Sequence, residues 1–182
     1  MHSAKTALLK TISTITTIIK GGNKMKALVT YFSASGVTAA LANRLAQAID
    51  AQIYEIKPAV PYTEADLNWM DKNSRSSVEM NDKSCRPALQ DLNAPVAGAD
   101  VIFVGYPVWW YREPSIIDNF LEAYDFSGKT IILFATSGSS DIGGEAPARA
   151  SEIAKTEVKA GKRFSANASG EELKAWAEEF LR

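Results

Sequence analysis

The sequence has one cysteine, Cys85, and one histidine, His2. A disulfide within the chain is therefore impossible, which fits a reducing compartment, and we expect a cytoplasmic protein. Cys-His pairs, Ser-His-Asp triads and histidine-rich zinc sites all need residues that the body of the chain lacks. We predict no metal site and no catalytic side chain. If the protein is an enzyme, we expect a cofactor to supply the difficult chemistry.

The chain also has no large excess of positive or negative charge. The formal net charge is −1, from 20 basic and 21 acidic residues. Residues 1–24 hold four lysines and no acid, so residues 25–182 carry 16 basic and 21 acidic groups. Nucleic-acid binding needs clustered lysine and arginine to meet the phosphates. The mildly acidic body has no basic stripe, so we expect no nucleic-acid partner.

No apolar run is long enough to span a membrane, and we expect no membrane partner. The first 24 residues contain apolar side chains at helical spacing, interrupted by lysine and threonine: Leu8, Ile12, Ile15 and Ile19. A secretory signal would need a cleaner apolar region and a cleavage site. Because "MKALVTYF" reads like a natural beginning, we interpret 1–24 as an N-terminal extension of a single domain over 25–182. A surface helix that packs on a neighbour is the alternative.

Apolar and amphipathic runs alternate along residues 25–182. The apolar runs predict strands at 26–32, 52–56, 101–105 and 130–136, and a short strand near 163–164. The amphipathic runs predict helices at 38–49, at 63–70 with Thr63 as its cap, from Pro114, at 145–159, and after Ser169. Strands that are apolar on both faces predict a doubly wound parallel α/β sheet, covered by helices on both sides.

The strand-to-helix turns of such a sheet meet at its carboxyl edge, where ligands bind. The first turn, "SASGVT", places glycine and hydroxyl side chains at a helix start, where free amides hold a phosphate without any lysine. The fingerprint G-x-G-x-x-G and the P-loop lysine are both missing, which disfavours adenine dinucleotides and nucleoside triphosphates in those binding modes. An ordinary helix cap is an equally good interpretation of this turn alone.

The third turn, "YPVWWYREP", has three consecutive aromatic residues directly after a buried strand. Alternate side chains of such a run cannot all enter the core, so we expect at least one large ring near solvent, suited to a flat ligand. Padding of the next helix, or an oligomer contact, is the alternative. The fourth turn, "TSGSSDIGG", offers backbone amides and carbonyls that can follow the edge of a heterocycle.

These three loops resemble those of the flavodoxin-like superfamily, over about residues 25–182. The resemblance implies a five-stranded sheet of order 2-1-3-4-5 and flavin mononucleotide (FMN) as cofactor. It assigns the phosphate to the first turn: Ser33, Ser35, Gly36, Val37 and Thr38. It assigns the flavin ring to the third and fourth turns, with Trp109 favoured as the stacking residue: Pro107, Val108, Trp109, Trp110, Tyr111, Thr136, Ser137, Gly138 and Ser139.

The sequence departs from the family pattern in two ways. Val37 stands where the family usually has asparagine, which removes one side-chain donor near the phosphate. The chain also lacks the strong acidity of many electron-carrier flavodoxins. Within the long 57–98 connection, "NSRSSVEM" is similar to a segment of a bacterial subgroup of small flavoproteins. That likeness implies that Arg75, Ser77 and Glu79 cover the flavin edge, and a solvated polar loop is the alternative.

Two functions follow from the resemblance. One is an oxidoreductase that passes electrons from NAD(P)H through FMN to a quinone or another small acceptor. The other is an electron carrier that docks to redox proteins and turns over no substrate of its own. We favour the enzyme, because near-neutral charge suits small substrates and the 57–98 connection can shape a pocket. A receiver-type regulatory domain is disfavoured, since no strand ends on aspartate. The oligomeric state stays open.

Overall fold

The computed structural model describes residues 25–182, which form a five-stranded parallel sheet. The strands are β1 (Ala27–Tyr31), β2 (Gln52–Glu55), β3 (Val101–Pro107), β4 (Thr130–Thr136) and β5 (Val158–Phe164). Their spatial order is β2-β1-β3-β4-β5. Both the predicted doubly wound α/β fold and the strand order implied by the resemblance are confirmed.

Five α-helices accompany the sheet within residues 25–182. They are α1 (Val37–Ile49), α2 (Arg75–Asn81), α3 (Ser115–Ala123), α4 (Ala146–Ala154) and α5 (Gly170–Ala177). None of the helices in this part of the chain has the length and apolar character needed to cross a membrane. The apolar stripe between Leu8 and Ile19 lies outside the described residues.

The core lies on both faces of the sheet. Ile102 of β3 packs in a cluster with α3 and α4, and its neighbour Phe103 packs in a second cluster with α1 and α5. This alternation follows from the period of two along a strand. The two edge strands depart from the prediction of strands without a wet face, because Gln52 and Ile53 of β2 and Lys159, Lys162 and Arg163 of β5 are exposed.

Gly105 marks the tightest contact within the sheet. It lies beside Phe134 of β4, and a Cβ atom at Gly105 would be 2.2 Å from the end of the Phe134 ring. The missing side chain therefore lets the ring cover the strand. β3 also continues to Pro107, two residues beyond the predicted end, because Tyr106 and Pro107 stay paired with β4.

The helix predicted at 145–159 is too long. α4 stops at Ala154, and Lys155 caps it in the left-handed region at φ +53°. From Val158 the chain pairs with β4 and forms a strand of seven residues where only a short one was predicted. Pairing with the sheet edge outweighs the helical spacing of the segment. At α3 the difference is smaller, since Pro114 is the N-cap instead of the first helical residue.

The helix predicted at 63–70 is wrong, because this segment forms a series of turns. The backbone N–H and the hydroxyl of Thr63 both donate to Asp66 Oδ2 at 2.8 Å, which closes a single turn. The Asn68 side chain then accepts from the N–H of Met70 at 3.2 Å. Local side-chain bonds of this kind compete with a helix and favour turns.

The solvated loop considered for "NSRSSVEM" is also wrong. The segment contains α2, capped by the Ser74 hydroxyl, which accepts from the N–H of Ser77. Ser76, Ser77, Glu79 and Met80 are buried. The 57–98 connection thus packs onto the carboxyl edge of the sheet and contributes part of the site.

Candidate cofactor site

A cleft of about 560 Å³ opens at the carboxyl edge of the sheet. Its walls come from the first turn, the 57–98 connection, the third turn and the fourth turn: Ala34, Ser35, Leu67, Trp69, Ser76, Pro107, Val108, Trp109, Trp110, Tyr111 and Ser140. The volume lies within the range of about 300–1,000 Å³ that is typical of ligand sites. The cleft is next to β1 and β3, between which the strand order reverses.

The first turn presents a helix start that no side chain caps. Gly36 is the N-cap of α1 at φ +85°, and its N–H donates to the Ser33 hydroxyl at 3.1 Å. The N–H groups of the first helical residues, Val37 and Thr38, have no partner within the helix. An uncapped helix start of this kind favours an anion. Ser35 lines the cleft itself.

Thr38 connects the first turn to the fourth. Its side chain is buried, and its hydroxyl lies 2.7 Å from the hydroxyl of Thr136, which is also buried. Thr38, which the resemblance assigned to the phosphate, therefore forms a hydrogen bond with Thr136, which it assigned to the flavin ring. The backbone N–H of Thr38 remains at the uncapped helix start.

The third turn is a tight reversal at Trp109–Arg112. The N–H of Trp109 donates to the Arg112 carbonyl at 2.9 Å, and the reverse bond is 3.0 Å long. Both central residues are left-handed, with φ of +45° at Trp110 and +66° at Tyr111. Such φ values are unfavourable for bulky side chains. Tyr111 is 80% exposed and Trp110 40% exposed, so the expected large ring near solvent is present.

Trp109 forms the inner wall of the cleft. Its ring meets Phe32 edge-on at 5.5 Å and Tyr62 edge-on at 5.4 Å. The Tyr62 hydroxyl donates to Glu79 of α2, and the Arg75 guanidinium lies 4.0 Å above the Tyr62 ring. Burial, with Glu79 as a further cause, raises the pKa of Tyr62, so its hydroxyl stays a donor. α2 therefore supports Trp109 through Tyr62.

The fourth turn contributes less to the cleft than the resemblance implied. Thr136, Ser137, Gly138 and Ser139 do not line it, whereas Ser140 does. Thr136 accepts at its carbonyl from the N–H of Val108 at 2.9 Å, which ties the third turn to the fourth. We keep the assignment of residues 136–139 to the ring as a proposal.

Sequence reasoning missed five residues of the cleft: Ala34, Leu67, Trp69, Ser76 and Ser140. Trp69 is the most informative of them, since it is 71% exposed at the mouth. The predicted helix at 63–70 hid it, because a tryptophan in an amphipathic run is expected to face the core. Five polar residues around it, in "DLNWMDKN", were a usable signal for turns.

A buried ionic cluster lies behind the third turn. The Arg149 guanidinium donates to Glu113 Oε1 at 2.5 Å and to Asp118 Oδ2 at 2.6 Å. Burial and the neighbouring Asp118 raise the pKa of Glu113. The Tyr106 hydroxyl is buried nearby, and its pKa is well above normal because of burial and the two carboxyl groups. None of these groups lines the cleft.

The cleft fits a flat, partly apolar ligand with an anionic end. No residue that lines it carries a charge, and three of them are tryptophans. The uncapped start of α1 lies beside it and is suited to a phosphate monoester. These features match the ring and the phosphate of FMN.

Comparison with known proteins identifies the family of the chain. The sequence profile of the flavodoxin family matches residues 26–180. The chain therefore belongs to the flavodoxin family. No curated protein matches the chain.

Two solved structures are similar to the chain in both sequence and fold. A candidate flavoprotein from Bacteroides uniformis ATCC 8492 is 46% identical, with a TM-score of 0.79 over 86% of this chain and 99% of that one. A candidate flavoprotein from Bacteroides eggerthii DSM 20697 is 42% identical, with a TM-score of 0.79 over 85% of this chain and 97% of that one.

A more distant structure shares the fold. It is a flavoprotein from Lactobacillus acidophilus NCFM in complex with FMN, 20% identical to this chain. The TM-score is 0.65, over 86% of this chain and 98% of that one. The flavodoxin family and this neighbour support FMN as the cofactor.

Proposed function

We propose that the chain binds FMN in the cleft and works as an oxidoreductase, which passes electrons from NAD(P)H to a quinone or another small acceptor. The observation that carries this proposal is an uncharged aromatic cleft beside an uncapped helix start. Two solved structures that are 42% and 46% identical to the chain, both candidate flavoproteins, support it. A cytoplasmic location belongs to the proposal and rests on the single Cys85.

The first turn holds the phosphate in this proposal. Backbone amides of Val37 and Thr38 serve as donors, with hydroxyl support from Ser33 and Ser35. Gly36 shapes the turn, and its own N–H donates to the Ser33 hydroxyl. These uncharged donors and the positive end of the α1 dipole together stabilise the negative charge of the phosphate. Val37 contributes only its amide, so the asparagine usual in the family is not required.

The third turn holds the flavin ring. Trp109 is fixed edge-on by two aromatic neighbours, and Trp110 and Tyr111 extend the wall towards solvent. Pro107 and Val108 complete this side, and residues 136–139 lie along the far end of the ring. When bound, FMN supplies the electron transfer itself. The protein excludes water from the ring, orients it, and leaves the mouth at Trp69 and Tyr111 open for a second flat molecule.

The uncharged cleft favours the enzyme over the carrier. A carrier that recognises proteins by charge needs a strongly charged rim, since such steering depends on fields of one sign. Residues 25–182 carry 16 basic and 21 acidic groups, and the residues that line the cleft carry none. A flat, uncharged acceptor suits these walls.

Anaerobic mixing tests the proposal. Protein loaded with FMN is mixed with NADH or NADPH, and free FMN serves as the control. We expect rapid loss of the yellow colour only with the protein, and its return when a quinone is added. Tyr111→Ala is expected to raise the KM for the quinone, while Leu92→Ala, which removes an exposed side chain away from the cleft, is not. Protein that binds FMN but stays yellow with both nucleotides supports the carrier.

A further inference from the structure

The aromatic turn Trp109–Arg112 has a backbone that its own residues disfavour. Two consecutive residues with large side chains, Trp110 and Tyr111, adopt positive φ. Turns of this kind normally use glycine or asparagine at both positions. Something outside the turn must therefore hold it.

The outside contact begins at Arg112, the last residue of the turn. Its guanidinium donates to Asp118 Oδ2 at 3.2 Å and to the Ser115 hydroxyl at 2.9 Å. The same side chain donates to the Glu113 carbonyl at 3.1 Å. Ser115 in turn donates to the Glu79 carbonyl of α2 at 3.2 Å. Arg112 thus ties the turn to α3 and, through Ser115, to α2.

Asp118 is the centre of this arrangement. It is completely buried, and its Oδ2 atom meets three guanidinium groups: Arg149 at 2.6 Å, Arg112 at 3.2 Å and Arg86 at 3.7 Å. Its second oxygen, Oδ1, has no partner among the described residues. A buried carboxylate that orders several arginines has a fixed position, since each of them loses a charged partner if it moves.

We propose that Asp118 is a positioning residue for the flavin site: acting through Arg112, it fixes the Trp109–Arg112 turn and thereby the aromatic wall of the cleft. Neither side chain lines the cleft, so their effect on a bound ring passes through the backbone of the turn. The inference rests on the proposed FMN site.

The position of Asp118 and Arg112 behind the aromatic turn predicts how their loss affects the binding of FMN and of riboflavin. The aromatic wall at Trp109–Arg112 contacts the flavin ring. It does not contact the phosphate, which lies at the start of α1. Loss of the tether must therefore weaken FMN and riboflavin, which lacks the phosphate, by the same factor. Loss of a phosphate donor would weaken FMN alone.

The test compares Asp118→Asn and Arg112→Gln with wild type. Affinities for FMN and for riboflavin are measured by titration, and near-ultraviolet circular dichroism of the apoprotein reports the tryptophan environment. We expect both variants to weaken both ligands equally, by about tenfold or more, and to change the dichroism. Arg112→Lys, which can still reach Asp118, is expected to recover part of the affinity.

Arg44→Gln is the matched control. Arg44 also tethers a loop, donating to the carbonyls of Ala166 and Ala168 on the other face of the sheet. We expect this control to keep both affinities. If Asp118→Asn does not fold, Arg112→Gln alone tests the positioning role. The Arg112 side chain is partly exposed, and its removal leaves the Asp118–Arg149 pair intact.

The outcomes separate the two proposals. If wild type binds neither ligand, the FMN site is wrong. If wild type binds both and Arg112→Gln leaves their affinities unchanged, the positioning role is wrong. A loss confined to FMN also overturns it, since that result would place the cluster on the phosphate side.

Discussion

The hydroxyl pair between Thr38 and Thr136 gives a prediction whose size follows from the structure. Both side chains are buried, and their oxygens are 2.7 Å apart. Replacing one threonine by valine keeps the shape but leaves the other hydroxyl without this partner. An unsatisfied buried hydroxyl costs about 1–3 kcal/mol. We expect Thr38→Val and Thr136→Val each to lower the free energy of unfolding by that amount.

The double variant is expected to behave differently. When both partners become apolar groups of the same shape, the net change is close to zero. Thr38→Val/Thr136→Val should therefore recover most of the stability that each single variant loses. Urea unfolding of the apoprotein measures all four proteins, with equal m-values required for the comparison. A double variant that loses the sum of the two single losses would refute the reasoning.

The same variants also test how the phosphate is held. Valine at position 38 keeps the backbone N–H at the start of α1. We therefore expect Thr38→Val to leave the ratio of FMN to riboflavin affinity within about twofold of wild type. If the ratio falls by about tenfold, the hydroxyl itself contacts the phosphate, and the hydroxyl pair would have to open when FMN binds.

Three other predictions concern stability in urea unfolding. Gly105→Ala should cost about 1–3 kcal/mol or more, because its Cβ would lie 2.2 Å from the Phe134 ring, while Gly98→Ala, with open space around it, should cost little. Ser169→Ala should cost about 1 kcal/mol, since the hydroxyl caps α5. For Glu113, a raised pKa means that its contribution is present below the ordinary value of 4.5 and is lost as pH rises through the raised value. Glu113→Gln should therefore gain stability relative to wild type as pH rises above 4.5.

Each of these predictions has a clear opposite result. If Gly105→Ala and Gly98→Ala lose equal free energy of unfolding, the sheet accommodates the new methyl group at Gly105 without strain. An unchanged midpoint for Ser169→Ala would mean that the cap adds nothing. A pH-independent difference between Glu113→Gln and wild type would show that Arg149 compensates fully for burial.

The sheet and the first and third turns could be predicted because their signals are local. Apolar strands such as 130–136 and the amphipathic stripe of α1 need no tertiary information to be recognised. The run Trp109–Tyr111 cannot be buried completely after a buried strand, so an exposed ring followed from the sequence. The assignment of particular side chains to FMN stays a prediction.

The remaining features depend on contacts between distant residues. The segment after Lys155 becomes β5 because β4 offers a free edge, and α2 buries Ser76, Ser77, Glu79 and Met80 because it packs onto the site. The role of Asp118 depends on arginines from three separate parts of the chain. No sequence pattern shows that these groups meet.

Titration of the apoprotein with FMN and with riboflavin, followed by tryptophan fluorescence, tests the central claim most directly. The account predicts saturable quenching by both ligands, because the ring lies against the Trp109 wall, and tighter binding of FMN, because its phosphate lies at the start of α1. Fluorescence that does not change with FMN, or riboflavin that binds as tightly as FMN, would contradict it.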